Sequence, residues 1–463
     1  MSVADPAMPF PDQLAVFRAR IPDHTGFAGL VLLGTGQLTT AALLIGALQV
    51  ERVAFLLTDE TREMPQKVAE LLGGDAGAWL CPNGDHRTTL AVYQGLRQVL
   101  EQWRDLDRAA IAVDVTGGLK PMSVGLEKAA HVLGLTTIYV QSDYGPLPPD
   151  GKSGPIPGTQ RLVIPEDPYV VFGDLEAAEA QRLYRTHDYA GAQRIFAALA
   201  ERVSAPQRTR YAMLAELAAA YAAWDVFDLP AAERCLAVVL TEYADLPAVL
   251  RAPLAEQRAA LIKLNQVGED LSTHNTRLEV LKDKQAVLAL LGMLHANALR
   301  REEQARFDVA ALLHYRCLEL ISQQRLATYG ILTERPNFQA ACRRWPDLDQ
   351  RYQEVQRAQG RKRPYPLPER AFGLFVGYML LKALEDELVR DLPIGVIEAR
   401  TTARNTSMLT HGFRLIDRAE YEGFCEVVEQ VLERYLKLVA VSRTGWEATF
   451  RFVAIEPLTD AKE

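Results

Sequence analysis

The stretch Ala112-Val-Asp-Val-Thr-Gly-Gly-Leu-Lys-Pro121 decides the fold of the N-terminal part of this chain. The apolar run 111–115 predicts a buried strand, the glycine pair predicts a tight turn, and a helix is expected from about Met122. Glycines at such a junction leave backbone N–H groups open to an anion, and the N-terminus of the following helix adds a favourable dipole. Lys120 adds a positive charge at the same place. Because the pattern G-x-x-x-x-G-K-S/T is absent, the junction is not a P-loop. Two interpretations remain: an anion-binding junction, or a tight turn followed by a surface lysine.

Apolar runs that predict strands alternate with patterns that predict helices on both sides of this junction. The expected strands cover residues 30–33, 53–57, 78–81, 111–115 and 136–140, and helices are expected at 38–50, 63–72 and 88–103. Such alternation predicts an α/β domain with a Rossmann-like, doubly wound parallel sheet, in which the strand ends form the ligand-binding edge. A proline- and glycine-rich stretch, 145–170, is expected to end this domain and to add an edge strand at 160–164.

The rest of the chain has the patterns of an all-α protein. Residues 174–203 resemble one TPR-like helix-turn-helix unit, and no second copy with the same period is evident in the sequence. Amphipathic patterns continue through the C-terminal third and predict a helical bundle. The predicted domains are a leader at 1–27, a sheet domain at 28–172, a helical linker region at 173–299 and a helical bundle at 300–463.

Composition and charge limit the classes of protein to which this chain can belong. The chain has 463 residues, a net charge of −8 and the apolar content of an ordinary globular protein. This charge argues against a general coat of basic residues for nucleic acid, although it leaves room for a local basic cleft. The cysteines have no metal-ligand spacing and are interpreted as thiols in a reducing compartment. Because the N-terminus does not resemble a signal peptide and no apolar run has membrane-spanning length, we expect a cytoplasmic protein without membrane contact.

A second glycine motif follows the first predicted strand. The motif is Gly34-Thr-Gly-Gln37, and Thr39 stands where a dinucleotide fingerprint carries its third glycine. Asp59 lies about twenty residues further on, as in that fingerprint. The missing third glycine counts against NAD. Since both glycine loops are expected at one crevice of the sheet, the sequence favours a phosphodiester ligand over NAD.

Arg404 and His411 lie seven residues apart near the C-terminus. On a helix this spacing is nearly two turns, so both side chains would project from one face. Such a pair suits metal-free RNA cleavage, because His can move protons between the 2′-hydroxyl and the leaving 5′-oxygen while Arg stabilises the charge on the phosphorane. Asn405 would orient the phosphate or the histidine. The bare pattern R-x(4–6)-H, which Arg404 and His411 satisfy, also occurs at Arg18/His24 and Arg182/His187. A pair of surface residues is therefore the alternative interpretation.

Other polar residues are interpreted as structural. The remaining histidines are ordinary loop or helix residues at 86 and 131, and packing or surface positions at 274, 295 and 314. Arg316 and Glu319 are spaced for an ion pair within one helix. The basic segment 357–370 is either a solvated loop or a contact for RNA phosphates.

Taken together, these motifs resemble a known family. Asp114-Val-Thr-Gly-Gly-Leu-Lys120, in a sheet that begins with Gly34-Thr-Gly36, resembles the CARF domain. The bundle with Arg404-Asn405 and His411-Gly412 resembles the HEPN domain and its R-x(4–6)-H motif. In this order, and joined by a helical region, they resemble the CARF–HEPN ribonucleases that accompany type III CRISPR systems. The resemblance covers nearly the whole chain.

The resemblance implies a switch with two sites. A homodimer would bind cyclic oligoadenylate, a ring of four or six adenylates, as its allosteric activator, and it would need no other cofactor. The HEPN domains would then cleave single-stranded RNA without a metal, leaving 2′,3′-cyclic phosphate and 5′-hydroxyl ends. Stable DNA binding is not expected.

The resemblance also implies roles for particular residues. By motif position, the ring phosphates would be bound by Thr116, Gly117, Gly118 and Lys120, with Gly34, Thr35, Gly36 and Gln37 as the other wall and Asp85 at the rim. The catalytic residues would be Arg404, Asn405 and His411, with Arg404 and His411 from two subunits facing each other across the two-fold axis.

Two other functions compete with the ribonuclease. One is a ligand-responsive regulator or scaffold whose bundle only dimerises, and the other is an NAD-dependent enzyme that uses Gly34, Gly36 and Asp59. The sequence leaves open the ring size, the RNA sequence preference and whether the protein degrades its own activator.

Overall fold

The computed structural model describes residues 8–22, 25–146, 153–243, 246–270, 277–405, 409 and 413–455, without the side chains of 269–270 and 400–405. The chain divides into two compact units, Met1–Pro168 and Tyr169–Glu463. The first unit is built on a sheet and the second is helical.

The first unit alternates strands and helices as the sequence predicts. Its strands are β1 (Gly29–Leu33), β2 (Arg52–Leu56), β3 (Ile111–Asp114), β4 (Thr136–Gln141), β5 (Tyr144–Pro146), β6 (Ser153–Pro155) and β7 (Arg161–Val163). Its helices are α1 (Phe10–Arg18), α2 (Leu38–Leu48), α3 (Met64–Leu72), α4 (Thr89–Gln102) and α5 (Lys120–Leu133), with short 3-10 turns at Asp59–Thr61 and Arg108–Ala110.

The main sheet has the order β2-β1-β3-β4-β7. The first four strands are parallel, and β7 pairs antiparallel with β4 at one edge. Because β1 to β3 point alternate apolar side chains to opposite faces, Leu32 packs into one core cluster and Val31 into another. Helices cover both faces, which confirms the predicted doubly wound α/β domain. The strand order reverses between β1 and β3, so the crevice expected of this fold lies between the loops that follow them.

Two local features differ from the sequence-based expectations. The strand expected at 78–81 is wrong, because only a single bridge joins Leu80 to Ala54 of β2. Pro82 follows at once, and a residue without a backbone N–H does not continue a ladder. The second feature is α1, which lies inside the stretch interpreted as a leader and buries Phe17 in the core beneath α2.

The second unit consists of helices. They are α6 (Pro168–Phe172, beginning at the boundary residue), α7 (Asp174–Arg185), α8 (Tyr189–Arg202), α9 (Gln207–Asp225), α10 (Leu229–Glu242), α11 (Ala248–Asp270), α12 (Arg277–Lys282), α13 (Lys284–Glu303), α14 (Phe307–Thr328), α15 (Gln339–Arg344), α16 (Leu348–Ala358), α17 (Leu374–Ala383), α18 (Ile394–Asn405), α19 (Arg418–Leu438) and α20 (Arg443–Phe450), with a 3-10 turn at Glu387–Val389. None of the helices in the described part of the chain is long and apolar enough to cross a membrane.

One type of turn recurs in this unit. The helix pairs α7–α8, α9–α10 and α13–α14 are each joined through a residue in the left-handed region, namely His187, Phe227 and Ala305. The backbone N–H after each of these residues bonds a carbonyl in the last turn of the preceding helix, as in a Schellman motif. The sequence indicated only the first of these hairpins, because the left-handed position carries three different residues and no glycine.

Candidate functional sites

The two predicted glycine loops meet at the switch point of the sheet. A Cβ atom added to Gly117 would lie 2.8 Å from Cγ2 of Thr35, so the loop after β3 touches the loop after β1. Gly118 has φ +84°, and a Cβ there would lie 3.1 Å from Cβ of Leu33. Both glycines therefore allow a close approach of two loops that are about eighty residues apart in sequence.

Gly34 has a packing role. It is buried at the end of β1, and its backbone N–H donates to the Leu56 carbonyl of β2 at 2.8 Å. A Cβ at this position would overlap Oγ1 of Thr61. The structure thus explains Gly34 by the close contact between the loop after β1 and the 3-10 turn after β2.

Thr116 and Asp114 form a buried polar network at the end of β3. Thr116 donates its backbone N–H to Asp114 Oδ1 at 3.0 Å, and its hydroxyl donates to the same oxygen. The Thr116 hydroxyl oxygen in turn accepts the Val140 N–H of β4 at 2.7 Å. Both Thr116 donors are therefore used inside the protein, so this residue shapes the loop.

Burial changes the acidity of Asp114. Desolvation raises the pKa of this carboxyl to about 6, although the hydrogen bonds from Thr116 favour the charged form. The crevice edge therefore contains an acid whose charge changes close to neutral pH. The sequence signal for it is an Asp two residues before a Thr at a strand end, which is the pattern of an Asx turn.

The groups best exposed to a ligand belong to two helix N-termini. Helices α2 and α5 begin at the same edge of the sheet, and neither has a side chain bonded to its first N–H groups. Such ends attract anions. Gly36, Gln37 and Lys120 are exposed there, and none of the ion pairs among the described residues involves Lys120.

Asp85 lies in a loop fixed to the end of β2. The neighbouring His86 is buried, and its backbone N–H donates to the Leu57 carbonyl while its Nδ1 lies 2.9 Å from the same oxygen. The Asp85 carboxylate accepts a hydrogen bond from Arg87 Nε at 2.5 Å. His86 is thus a structural residue, as predicted, and it positions the loop that carries Asp85.

Asp59 has a local partner. Its carboxylate accepts hydrogen bonds from Arg62 Nε and Nη2 at 3.1 and 2.7 Å. This is the residue that would bind ribose in the NAD interpretation. Its pairing with Arg62 gives no support to that interpretation.

The structure describes the predicted catalytic residues only in part. Arg404 and Asn405 form the end of α18, but their side chains lie outside the described residues, as does the whole of His411. Leu409 lies in a turn, so the described residues give no support to a helix that continues from Arg404 to His411. Their catalytic roles stay predictions.

The basic segment 357–370 contacts the helix that carries Arg404. The Arg361 guanidinium lies 3.9 Å from the Glu398 carboxylate of α18. The loop is anchored by Gln356, whose buried amide donates to the Tyr365 carbonyl at 2.7 Å and accepts the Tyr365 N–H at 3.0 Å. The segment is therefore an anchored loop next to α18.

Buried ion pairs join several helices of the second unit. Asp386, whose side chain is fully buried, accepts from Arg325 at 2.7 Å and from the Tyr329 hydroxyl at 2.8 Å, both at the end of α14. A second network joins α9 to α13, where Asp225 bonds Arg300 at 2.8 Å and also bonds Arg301. Neither network is predictable from local sequence patterns, because each joins residues more than fifty positions apart.

Two other sequence-based interpretations are confirmed. Arg316 and Glu319 form an ion pair at 3.3 Å along α14. His295 and His314 are buried between helices.

Comparison with known proteins finds relatives for most of the chain. The family model of the Csm6 6H domain matches residues 172–267, and that of the Csm6 HEPN domain matches residues 279–435. The CRISPR system endoribonuclease Csm6 of Thermus thermophilus is 27% identical over 445 residues, which are 92% of this chain and 90% of that protein. The structure of Enterococcus italicus Csm6 bound to cyclic hexa-2′-fluoro-hexa-dAMP has a TM-score of 0.53 and 13% identity, over 92% of this chain and 98% of that chain. At this identity the likeness shows a shared fold alone.

Proposed function

This chain belongs to the Csm6 family, and from that premise we propose that it is an endoribonuclease of type III CRISPR defence that cyclic oligoadenylate activates. The observation that carries the proposal is the meeting of the loops after β1 and β3, in a chain whose second unit matches the HEPN domain. One unit thus has the features of a ligand sensor, and the other has those of a nuclease.

The ligand is proposed to bind over the contact between Thr35 and Gly117. Its phosphates would bind the N-termini of α2 and α5, with Lys120 as the mobile cation. A Cβ at Gly36 would meet nothing within 4 Å, so the space beside this residue is open to the ligand. Gly34 and Thr116 would support the two loops from behind.

RNA cleavage is proposed to use Arg404, Asn405 and His411 without a metal. The 2′-oxygen of the substrate attacks the adjacent phosphorus, the bond to the 5′-oxygen breaks, and the 2′-hydroxyl proton is passed through histidine to the leaving oxygen. The products are a 2′,3′-cyclic phosphate and a 5′-hydroxyl end. Arg404 would stabilise the charge on the phosphorane, and Asn405 would orient the phosphate or the histidine.

A homodimer is proposed because exposed apolar side chains follow the predicted catalytic histidine in sequence. Phe413 is 93% exposed and Leu415 is 67% exposed. In the first unit, Leu90 of α4 and Val132 of α5 are exposed to a similar degree. Apolar side chains grouped in this way are typical of protein interfaces. A two-fold dimer would bring His411 of both subunits to one composite site.

The helical region between the two predicted sites is proposed to carry the coupling. The Asp225 network ties α9 to α13, so a shift of the helices that follow the sheet unit would be transmitted to the bundle. Activation is then a coupling free energy between ligand binding and the arrangement of the catalytic residues.

The test is a cleavage assay with purified full-length protein, single-stranded RNA and EDTA. Cleavage should require cyclic oligoadenylate, and titration with four- and six-membered rings identifies the activator. Analysis of RNA ends should find cyclic phosphate, and analysis of the ligand shows whether the protein degrades it. Ligand binding without cleavage would favour the regulator or scaffold, and a thermal shift with nicotinamide dinucleotide alone would favour the NAD enzyme.

A further inference from the structure

The core of the helical unit contains a cluster of metal-ligating side chains that RNA cleavage does not use. His295 of α13 and His314 of α14 are 2% and 0% exposed, and Glu429 of α19 lies beside them. One nitrogen from each imidazole and one carboxylate oxygen lie within 4.8 Å of one another. We propose that His295, His314 and Glu429 bind one divalent transition-metal ion, of the class of Zn²⁺, that joins the three helices.

The donor atoms lack other partners. Among the described residues, His314 Nε2 and both ring nitrogens of His295 have no hydrogen-bond partner. Buried polar atoms are rarely left in this state, because they lose their hydrogen bonds to water and gain none in return. A metal ion satisfies imidazole nitrogens that no hydrogen bond reaches.

The surroundings of His314 leave Nε2 as the free donor atom. Its Nδ1 lies 3.4 Å from the Tyr421 hydroxyl oxygen, and that hydroxyl donates to Glu302 at 3.0 Å. The Tyr421 oxygen therefore acts as an acceptor for Nδ1–H, which leaves the lone pair on Nε2. Metal-binding histidines use this arrangement, in which the second ring nitrogen donates to an outer group.

The carboxylate of Glu429 is held in the same way. One of its oxygens, Oε2, bonds the Arg443 guanidinium, while the other, Oε1, faces His295 Nδ1 at 3.8 Å. On the opposite side of the ring, His295 Nε2 lies 3.7 Å from Glu447. Both separations are too long for a hydrogen bond. The first one fits two ligands of a single ion, each about 2 Å from it.

The geometry of the two imidazoles fits the same conclusion. Their ring centres are 5.4 Å apart. Two imidazoles that bind one tetrahedral zinc ion through bonds of about 2.0–2.1 Å place their ring centres about 5 Å apart. Burial lowers the pKa of both histidines, that of His314 to about 3, so the rings are neutral and able to ligate at physiological pH. Two histidines and a carboxylate are a donor set that suits Zn²⁺.

The test uses full-length protein stripped of metal by a chelator and then titrated with Zn²⁺ or Co²⁺. Wild type should take up one equivalent of Zn²⁺ per chain, and Co²⁺ should give the visible absorption of a tetrahedral site. Glu429→Gln should bind at least about tenfold more weakly. His314→Phe keeps an aromatic ring in the stack with Tyr421 and should remove binding. The matched control is His187→Gln, which removes a histidine whose ring nitrogens already contact Tyr189 and Glu303 and should bind Zn²⁺ like wild type.

The proposal is overturned if wild type takes up no ion, or if Glu429→Gln and His314→Phe bind Zn²⁺ as tightly as wild type. The proposal is also overturned if NMR of the metal-free protein shows that the His295 ring carries two protons at neutral pH. His295 would then share protons with Glu429 and Glu447 instead of binding a metal. The ion has no step in RNA cleavage. Zinc uptake by the stripped protein and ligand-activated cleavage in EDTA are therefore separate measurements, and they distinguish failure of this site from failure of the proposed ribonuclease.

Discussion

The sheet unit and the helical unit position their functional residues by different rules. In the sheet unit the strand order brings the loops after β1 and β3 together. Thr35 and Gly117 therefore touch although they are 82 positions apart in the sequence. In the helical unit no such rule applies, and buried side chains such as Asp386 and Asp225 join particular helices across an apolar core. We therefore expect the sheet unit to tolerate changes of ligand-facing side chains and the helical unit to be sensitive to the loss of single buried polar groups. Five predictions test this difference.

The largest effect is expected at the predicted catalytic histidine. His411→Ala should lower the rate of ligand-activated RNA cleavage by about 10²–10⁴-fold, because proton transfer to and from the reacting oxygens is lost. Binding of cyclic oligoadenylate, measured by calorimetry, should stay within error of wild type. The control is His187→Ala, which removes the histidine of the look-alike pair Arg182/His187 and should leave cleavage nearly unchanged. Cleavage retained by His411→Ala would contradict the assignment of the site.

The second effect concerns the frame of the bundle. Asp386→Ala leaves Arg325 buried without its partner, and breaking such a pair costs about 3–5 kcal/mol. The free energy of unfolding, measured in urea, should fall by this amount. Glu179→Ala is the matched control, because it removes a carboxylate from an exposed pair with Arg182 and should leave unfolding unchanged within error. A small loss at Asp386 would show that the helical unit does not depend on single buried groups.

These two predictions also show what a sequence can and cannot predict. The sheet, its two glycine loops and the direction of its strands follow from alternating patterns and glycine positions, which are local signals. The buried partners of the helical unit are not local: His295 and Glu429 are 134 positions apart, and Asp386 is 61 positions from Arg325. Their side chains are ordinary polar residues of amphipathic helices until the helices are packed. The hydrogen bonds of the Thr116 hydroxyl with Asp114 and Val140 of β4 are likewise visible only in the folded sheet, and the predicted contact of Thr116 with the ligand stays a prediction.

The third effect tests the close approach of the loops in the sheet unit. Gly118→Ala adds a Cβ at a φ of +84° and 3.1 Å from Leu33, so the loop after β3 must move. We expect the ligand concentration for half-activation to rise about tenfold, in line with a loss of about 1–2 kcal/mol for a left-handed alanine. Gly134→Ala has a similar φ of +72° at the other end of α5, with open space around it, and should leave activation unchanged. Equal effects of both variants would mean that backbone strain at the ends of α5, and not the shape of the crevice, determines the ligand concentration for half-activation.

The fourth effect is the pH dependence that Asp114 gives to the crevice. As the pH falls through about 6, this carboxyl gains a proton and its repulsion of ligand phosphates disappears. Ligand binding should therefore be a few-fold tighter at pH 5.5 than at pH 7.5, and Asp114→Asn should remove this difference. The raised pKa also means that the stability contributed by Asp114 is present below about pH 4 and is lost as the pH rises through about 6. A pH dependence that Asp114→Asn retains would exclude this carboxyl as its cause.

The smallest effect is expected on the surface of the bundle, at the basic segment 357–370. Lys362 is exposed in the anchored loop. The neighbouring Arg361 contacts Glu398 of α18, and Glu398 lies about 9 Å along that helix from Arg404. Lys362→Glu should reduce kcat/KM for RNA a few-fold at low salt. Because one phosphate contact is lost, the slope of log K for RNA binding against log salt concentration should become shallower by about 0.7. Lys437→Glu changes the net charge equally at the end of α19, where the lysine pairs with Glu433, and serves as the control. If only Lys362→Glu weakens binding, the helical unit binds RNA through a local positive charge, although the net charge of the chain is negative. If both variants weaken it equally, RNA responds to overall charge, and the segment has no special place beside α18.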